Sequence, residues 1–178
     1  MDAAVPILET SRLLLRNVAL SDASFLLRLL NDPSWLENIG DRGIRTAADA
    51  EVYVRNNIWA HYQAYGYGMY AMQLGSTRQP IGICGLVKRD FLGAPDLGFA
   101  LLPDYAGRGY AFEAARGLMV YAEKNLSIVR LYAIAKRGNH RSVRVLGRLG
   151  FHHEGPLLTP EGVEVELYAK ASPFVATQ

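Results

Sequence analysis

At 178 residues, half of them hydrophobic, the chain is long enough to bury one proper core. It reads as one domain over residues 1–178, its ordered part spanning about 10–170 between short flexible termini. Its 19 basic and 17 acidic side chains leave a net charge of +2, too balanced for a protein that works on the nucleic-acid backbone. The single cysteine, Cys84, excludes an internal disulfide, and no metal-ligand spacing or apolar run of ~20 residues is present, so no metal, membrane or direct nucleic-acid partner is expected. The opening Met-Asp-Ala-Ala-Val-Pro does not read as a leader, and a cytoplasmic protein is expected.

In chain order, Arg12 to Val18 reads as a short strand. Ser21-Asp22 opens a helix whose apolar stripe is Ala23, Leu26, Leu27 and Leu30, and Asn31-Asp32-Pro33 ends it. Trp35 to Arg45 has no period and reads as a connection. Thr46 with Asp49 three residues on resembles a capping box for a second helix reaching about Tyr62. Met69 to Leu74 and Ile81 to Lys88 pair as a hairpin, and Asp96 to Leu102 is a third strand that Pro103 terminates. A helix follows Gly109 with Ala111, Ala114, Ala115, Leu118, Met119 and Ala122 on one side. Val129 to Ala135 is the next strand and Asn139 to Leu149 the next helix, after which Phe151 to Leu157 and Val163 to Ala169 form a closing hairpin. Strand, crossover helix and strand demand one parallel pairing between flanking hairpins. The fold class is therefore α/β (α+β), a mixed central sheet of about seven strands flanked by about four helices.

One stretch carries most of the functional signal. Pro103 to Tyr121 runs from a strand end through Gly107 and Gly109 into a helix, and a glycine turn at a helix N-terminus offers unpaired N–H groups and partial positive charge to a phosphate. Alone, two such glycines also serve merely to relieve a tight turn. No Gly-x-x-x-x-Gly-Lys-Ser/Thr occurs. The Gly-x-Gly-x-x-Ala at Gly66, Gly68 and Ala71 enters a strand rather than a helix, the reverse of a dinucleotide fingerprint.

Tyr105-Ala-Gly-Arg-Gly-Tyr-Ala111, followed by Glu113-Ala114, resembles the acetyl-CoA motif of the GNAT N-acetyltransferase superfamily, Gln/Arg-x-x-Gly-x-Gly/Ala. Asn139-His-Arg-Ser142 with Leu149-Gly-Phe151 resembles the family's second motif. The opening Thr10-Ser-Arg-Leu-Leu-Leu-Arg16, Asn31-Asp-Pro33 and Gly43-Ile-Arg-Thr46 are similar to the RimJ/RimL branch, named for acetylation of ribosomal-protein N-termini. Ala106 stands where many members carry Gln or Arg, a position that contributes chiefly through its backbone N–H.

The resemblance implies an acetyl-CoA-dependent N-acetyltransferase that transfers directly, in a ternary complex, to a primary amine such as a protein N-terminal residue. The alternatives are a small-molecule amine (polyamine, amino acid or antibiotic) or a catalytically silent acyl-CoA-binding module. Dimers are common among relatives. The implied cofactor residues are Phe99, Leu101 and Leu102 along a splayed strand edge, Ala106, Gly107, Arg108, Gly109, Tyr110 and Ala111 around the pyrophosphate, and Asn139, Ser142 and Arg144 on the next helix. Arg108, Lys136, Arg137, Arg141 and Arg144 are candidates for the remaining phosphate, or else solvated helix charges. Asn139 is also an expected helix cap.

For proton removal Asp96 is the first candidate base, since relatives often carry Glu there; the other reading is a turn carboxylate after Ala94-Pro95. Glu113 matches the family but sits where it would fix a helix or loop. Cys84, in an apolar strand, reads as a core thiol rather than an acyl carrier. Trp35 and Tyr65 are candidate acceptor-site residues, in the region with Trp59, Tyr62 and Tyr67 where the family receives its amine.

Overall fold

The computed structural model describes residues 4–174. The expectation of flexible termini therefore concerns, at residues 1–3 and 175–178, positions outside the described residues. Among the described residues, one sheet of eight strands organises the chain: β1 (Pro6–Glu9), β2 (Leu13–Arg16), β3 (Met69–Leu74), β4 (Pro80–Val87), β5 (Asp96–Leu101), β6 (Arg130–Lys136), β7 (His152–Leu158) and β8 (Glu164–Ala171). Their spatial order is β1-β2-β3-β4-β5-β6-β8-β7. Every neighbouring pair is antiparallel except β5 and β6, which the crossover helix α5 (Tyr110–Leu126) joins in parallel.

The expected class holds, with more elements than foreseen: eight strands and six α-helices among the described residues, against about seven and about four. β1 is a four-residue strand that begins at a proline and pairs Leu8 with Leu15 and Glu9 with Leu14. So short a segment carries too little alternation to announce itself; its place is fixed by the neighbouring strand and by Leu8 packing on the core.

Two apolar layers flank the sheet. On one face, α1 (Ala23–Leu30), α2 (Pro33–Asn38) and α3 (Ala47–Tyr53) bury Leu26, Leu29, Leu30, Trp35 and Ala50, with Val54 just beyond α3, against Ala71, Ile83 and Leu102. On the other, α5 and α6 (His140–Arg148) bury Ala114, Ala115, Leu118, Met119, Ala122 and Leu146 against Leu15, Met72, Cys84, Leu86 and Leu97. Alanines at three of the α5 contacts let the helix axis lie close to the strands, and each fully buried leucine contributes about 1.5–3 kcal/mol.

Asn31-Asp32-Pro33 ends α1 but also starts α2: Pro33 occupies the first helical position and the Asp32 carboxylate accepts the Ser34 N–H at 2.9 Å. The expected connection from Trp35 is thus partly helical. The capping box of α3 forms in both directions, Thr46 Oγ1 accepting from Asp49 N–H at 3.1 Å and Asp49 Oδ2 from Thr46 N–H at 2.8 Å. Beyond Tyr53 the helix continues through a π turn, Val54–Trp59, into α4 (Ala60–Tyr65) and stops at Gly66, whose φ of +75° is left-handed. Within this helical layer a buried pair ties β2 to the start of α1: both Arg16 guanidinium NH groups meet the Asp22 carboxylate at 2.7 Å, and Asp22 also accepts the Ala19 N–H.

Candidate functional site

The parallel pair in the middle of the sheet is nearly unmade. β5 and β6 share one register point, Asp96 opposite Tyr132, with the Tyr132 N–H donating to Pro95 O at 2.9 Å. β5 remains fully paired to β4 from Asp96 to Leu101, and β6 to β8 from Arg130 to Lys136. A cleft therefore opens between Leu97–Leu101 and the end of β6, edged by backbone groups. Strand alternation turns the N–H and C=O of Phe99 and Leu101 towards that cleft. Leu102, expected beside them, is turned away. Its N–H donates to Ile81 O, its C=O accepts from Tyr105 N–H and its side chain is buried, so it has no part in the cleft edge.

The cleft leads to the glycine turn. After a short 3-10 turn, Pro103–Tyr105, both Gly107 and Gly109 adopt left-handed backbone, φ +77° and +82°. Gly109 stands before the first residue of α5, and the first helical bond runs from Glu113 N–H to Gly109 O. The N–H groups of Tyr110, Ala111 and Phe112 thus lack helical acceptors, and no side chain caps them. A Cβ built on Gly107 meets nothing within 4 Å, so the space above the turn is open. Ala106 differs from expectation: its N–H is already spent on Pro103 O at 3.0 Å. Arg108 is exposed, near the Tyr105 ring.

Asn139 begins α6, and its side-chain oxygen accepts the Ser142 N–H at 3.1 Å. The cap leaves its amide NH₂ as a donor, so capping and ligand contact are compatible. Ser142 is half-buried, while Arg141 and Arg144 are exposed. Lys136 Nζ donates to Glu37 O, tying the end of β6 to α2.

Glu113 is surrounded by donors. Oε1 accepts from Thr10 Oγ1 at 2.6 Å, Ser11 Oγ at 3.1 Å and Arg12 N–H at 2.9 Å; Oε2 accepts from Arg12 Nε at 2.6 Å. Burial acts to raise this carboxyl, but the bonds from Thr10, Arg12 and Ser11 outweigh it and hold the group below the ordinary glutamate range. Its structural task is to clamp the start of α5 to the turn between β1 and β2.

Asp96 is buried at 3% exposure, with both oxygens engaged: Oδ2 with Arg89 Nε at 2.6 Å and Oδ1 with the Ile134 N–H at 3.2 Å. Burial raises its carboxyl to about 6 against the pull of Arg89 and the Ile134 bond. Arg89 is set by its neighbour: the Lys88 N–H donates to His61 Nε2 at 2.9 Å, and His61 Nδ1 meets Tyr67 O at 2.7 Å.

The aromatics of the helical layer are mostly architectural. Trp35 is buried with its indole N–H on Gly40 O, Trp59 donates to Val18 O, and Tyr62 accepts from Val18 N–H. Tyr65 is 45% exposed, its ring tilted against those of His61 and Tyr67, and is the one of the two acceptor candidates open to solvent. Neither the clamp at Glu113 nor the partner of Asp96 had a local signal in the sequence, since the first joins residues about a hundred positions apart.

An interrupted parallel pair that opens onto a glycine turn at a helix N-terminus, within this strand order, defines the GNAT fold. Accordingly, the family described as the acetyltransferase (GNAT) domain matches residues 12–152, and the chain belongs to it. It is an acyltransferase by family. An uncharacterized N-acetyltransferase, p20, from Bacillus licheniformis is 28% identical over 153 residues, covering 84% of each chain. Among solved structures, an acetyltransferase from Agrobacterium tumefaciens str. C58 superposes with a TM-score of 0.78 at 27% identity, over 93% of this chain and 94% of that one. RimL, a ribosomal L7/L12 alpha-N-protein acetyltransferase in complex with coenzyme A, has the same fold, with a TM-score of 0.80 at 21% identity over 93% and 97% of the chains.

Proposed function

We propose that this chain is an acetyl-CoA-dependent N-acetyltransferase acting on a primary amine, in particular a protein N-terminal residue, by direct transfer within a ternary complex. The observation that carries the reading is the single register point between β5 and β6 beside the open left-handed turn at Gly107 and Gly109. This arrangement fits acetyl-CoA in two parts. The cleft-facing backbone of Phe99 and Leu101 suits an amide-bearing pantetheine arm, and the uncapped N–H groups of Tyr110, Ala111 and Phe112 suit a pyrophosphate. Hydrogen bonds to a charged group of this kind contribute about 1.5–3 kcal/mol each. Asn139 offers its amide NH₂ alongside, and Arg108 and Arg144 offer charge from solvent-facing positions. Bound there, the cofactor supplies an acetyl thioester.

The chain's own residues bind and orient rather than store the acyl group. Cys84, the single thiol, is fully buried and burial pushes it up to about 12, which disqualifies it as an acyl carrier and supports direct transfer. An α-amine with a pKa of ~7.7 is about one-third free base at pH ~7.5, against about one part in a thousand for lysine. With both candidate carboxylates, Asp96 and Glu113, already engaged, the site is matched to an N-terminal amine, which needs little help losing its proton. RimL, which shares the fold, is described as acting on a ribosomal-protein α-amine.

The test is release of free CoA thiol, measured with acetyl-CoA across a panel of peptides with free N-termini, the same peptides blocked at the N-terminus but bearing lysine, amino acids and polyamines. Turnover that requires a free α-amino terminus is the expected result. Preferential turnover of a polyamine would overturn the acceptor assignment.

A further inference from the structure

A regular parallel ladder would continue past Asp96 and Tyr132 by an Ile134 N–H bond to the Leu97 carbonyl. It does not. The Ile134 N–H goes to Asp96 Oδ1 at 3.2 Å, so a side chain one residue earlier takes the place of the backbone acceptor. Aspartate suits the task because its carboxylate is short enough to stay beside its own strand, and because it accepts only. With the Ile134 N–H satisfied, the Leu97 carbonyl is released, and the strands diverge where the cleft begins.

Nothing about Asp96 leaves it free to swing. Arg89 Nε holds the second oxygen at 2.6 Å, and Arg89 follows Lys88, whose N–H is fixed on His61 Nε2. Leu92 N–H closes a turn onto Arg89 O at 3.1 Å, which fixes the backbone that carries the guanidinium. A line of bonds thus runs from α4 through the β4–β5 connection to β6, and it ends at the point where the sheet parts.

We propose that Asp96 is a positioning residue, its carboxylate ending the β5–β6 ladder after one register point and so holding open the cleft that receives the acyl-CoA arm. The cofactor half of this statement rests on the acetyl-CoA reading above; the ladder half stands on the unliganded protein alone. Asp96 acts through the backbone of Leu97 and Ile134, and it is not the base that takes the acceptor's proton.

Asp96→Asn and Asp96→Ala separate these roles. The asparagine amide oxygen still accepts the Ile134 N–H, whereas alanine surrenders that N–H to the Leu97 carbonyl and lengthens the ladder. Expected are acetyl-CoA affinity within about threefold of the parent for Asp96→Asn and weaker by about tenfold or more for Asp96→Ala. For turnover, Asp96→Asn is expected to keep the acid limb of the pH–rate profile. In the unliganded proteins, scalar coupling across the hydrogen bond from Ile134 N–H should reach the Asp96 carboxyl carbon in the parent and the Leu97 carbonyl carbon in Asp96→Ala. Coupling to Leu97 in the parent would overturn the ladder-ending role of Asp96 even if acetyl-CoA did not bind at all. Unchanged acetyl-CoA affinity in Asp96→Ala, beside normal binding by the parent, would overturn the link to the cleft. Loss of the acid limb in Asp96→Asn at unchanged acetyl-CoA KM would make Asp96 the base and overturn the proposal. Failure of the parent to bind acetyl-CoA would instead defeat the cofactor reading.

Discussion

Arg12 and Glu113 meet at 2.6 Å although 101 residues separate them, and their contact sets the glycine turn in place. The same guanidinium donates through NH1 to Arg108 O at 3.1 Å and lies 4.5 Å over the Tyr110 ring. One side chain from the edge of the sheet thereby holds the residues on both sides of Gly109. Arg12 is about half exposed, so the ion pair itself is worth little as stability. Its value lies in the geometry of the turn.

Glu113→Gln should therefore disturb binding more than folding. The neutral amide keeps an acceptor for the Arg12 N–H but loses its hold on the guanidinium, and the turn gains freedom. Acetyl-CoA affinity is expected to fall by about three- to tenfold, with the unfolding free energy lowered by about 1 kcal/mol or less and the pH–rate profile unshifted. A shifted profile at unchanged affinity would make Glu113 a proton-transfer group instead of a clamp.

Asp96 predicts a specific dependence of stability on pH. Its folded pKa of about 6 lies above the ordinary 3.8, because burial penalises the charged form more than Arg89 and Ile134 favour it. The folded protein holds this proton more tightly than the unfolded chain. The contribution is then fully present below about pH 4 and is lost as pH rises through about 6. Urea unfolding of the parent, referenced to Asp96→Asn at each pH, should show relative stability declining across that window, by at most about 1.4 kcal/mol per pH unit. A constant difference from pH 4 to 7 would contradict it.

The buried pair of Arg16 and Asp22 tests the opposite helical layer. Both side chains are under a tenth exposed and bonded at two points. Asp22→Ala leaves a guanidinium buried without its partner and should cost about 3–5 kcal/mol. Replacing both residues together, by Arg16→Met with Asp22→Leu, should recover most of that loss. Equal losses in the single and the double variant, read from the same urea curves, would show that the charge is not what matters there.

What could be read from the chain and what could not divide along the range of the interactions. The turn at Gly107 and Gly109, the small-residue face of α5 and the cap at Asn139 are local, each written within a few residues, and so these parts of the candidate site are legible in the sequence. The strand pair that opens was inferable only from resemblance, because its cause is one carboxylate meeting an N–H 38 residues away. The resemblance puts Leu102 on the splayed strand edge and Ala106 in the motif around the pyrophosphate. Their backbone N–H groups are instead consumed by Ile81 and Pro103, which no spacing rule announces. Trp35 was read for its aromatic ring, yet Asp32-Pro33 starts a helix that turns that ring into the core. β1 was too short to carry a pattern of its own.

Calorimetric titration of acetyl-CoA into the parent and into Gly109→Val tests the central claim most directly. Gly109 has a φ of +82°, where a β-branched residue is strained, and it stands at the mouth of the uncapped helix start. The expected result is a single site for the parent with a dissociation constant in the micromolar range or tighter, raised at least about tenfold in the variant. No detectable binding by the parent, or the same affinity in both proteins, would contradict the account of this cleft as the seat of acetyl-CoA.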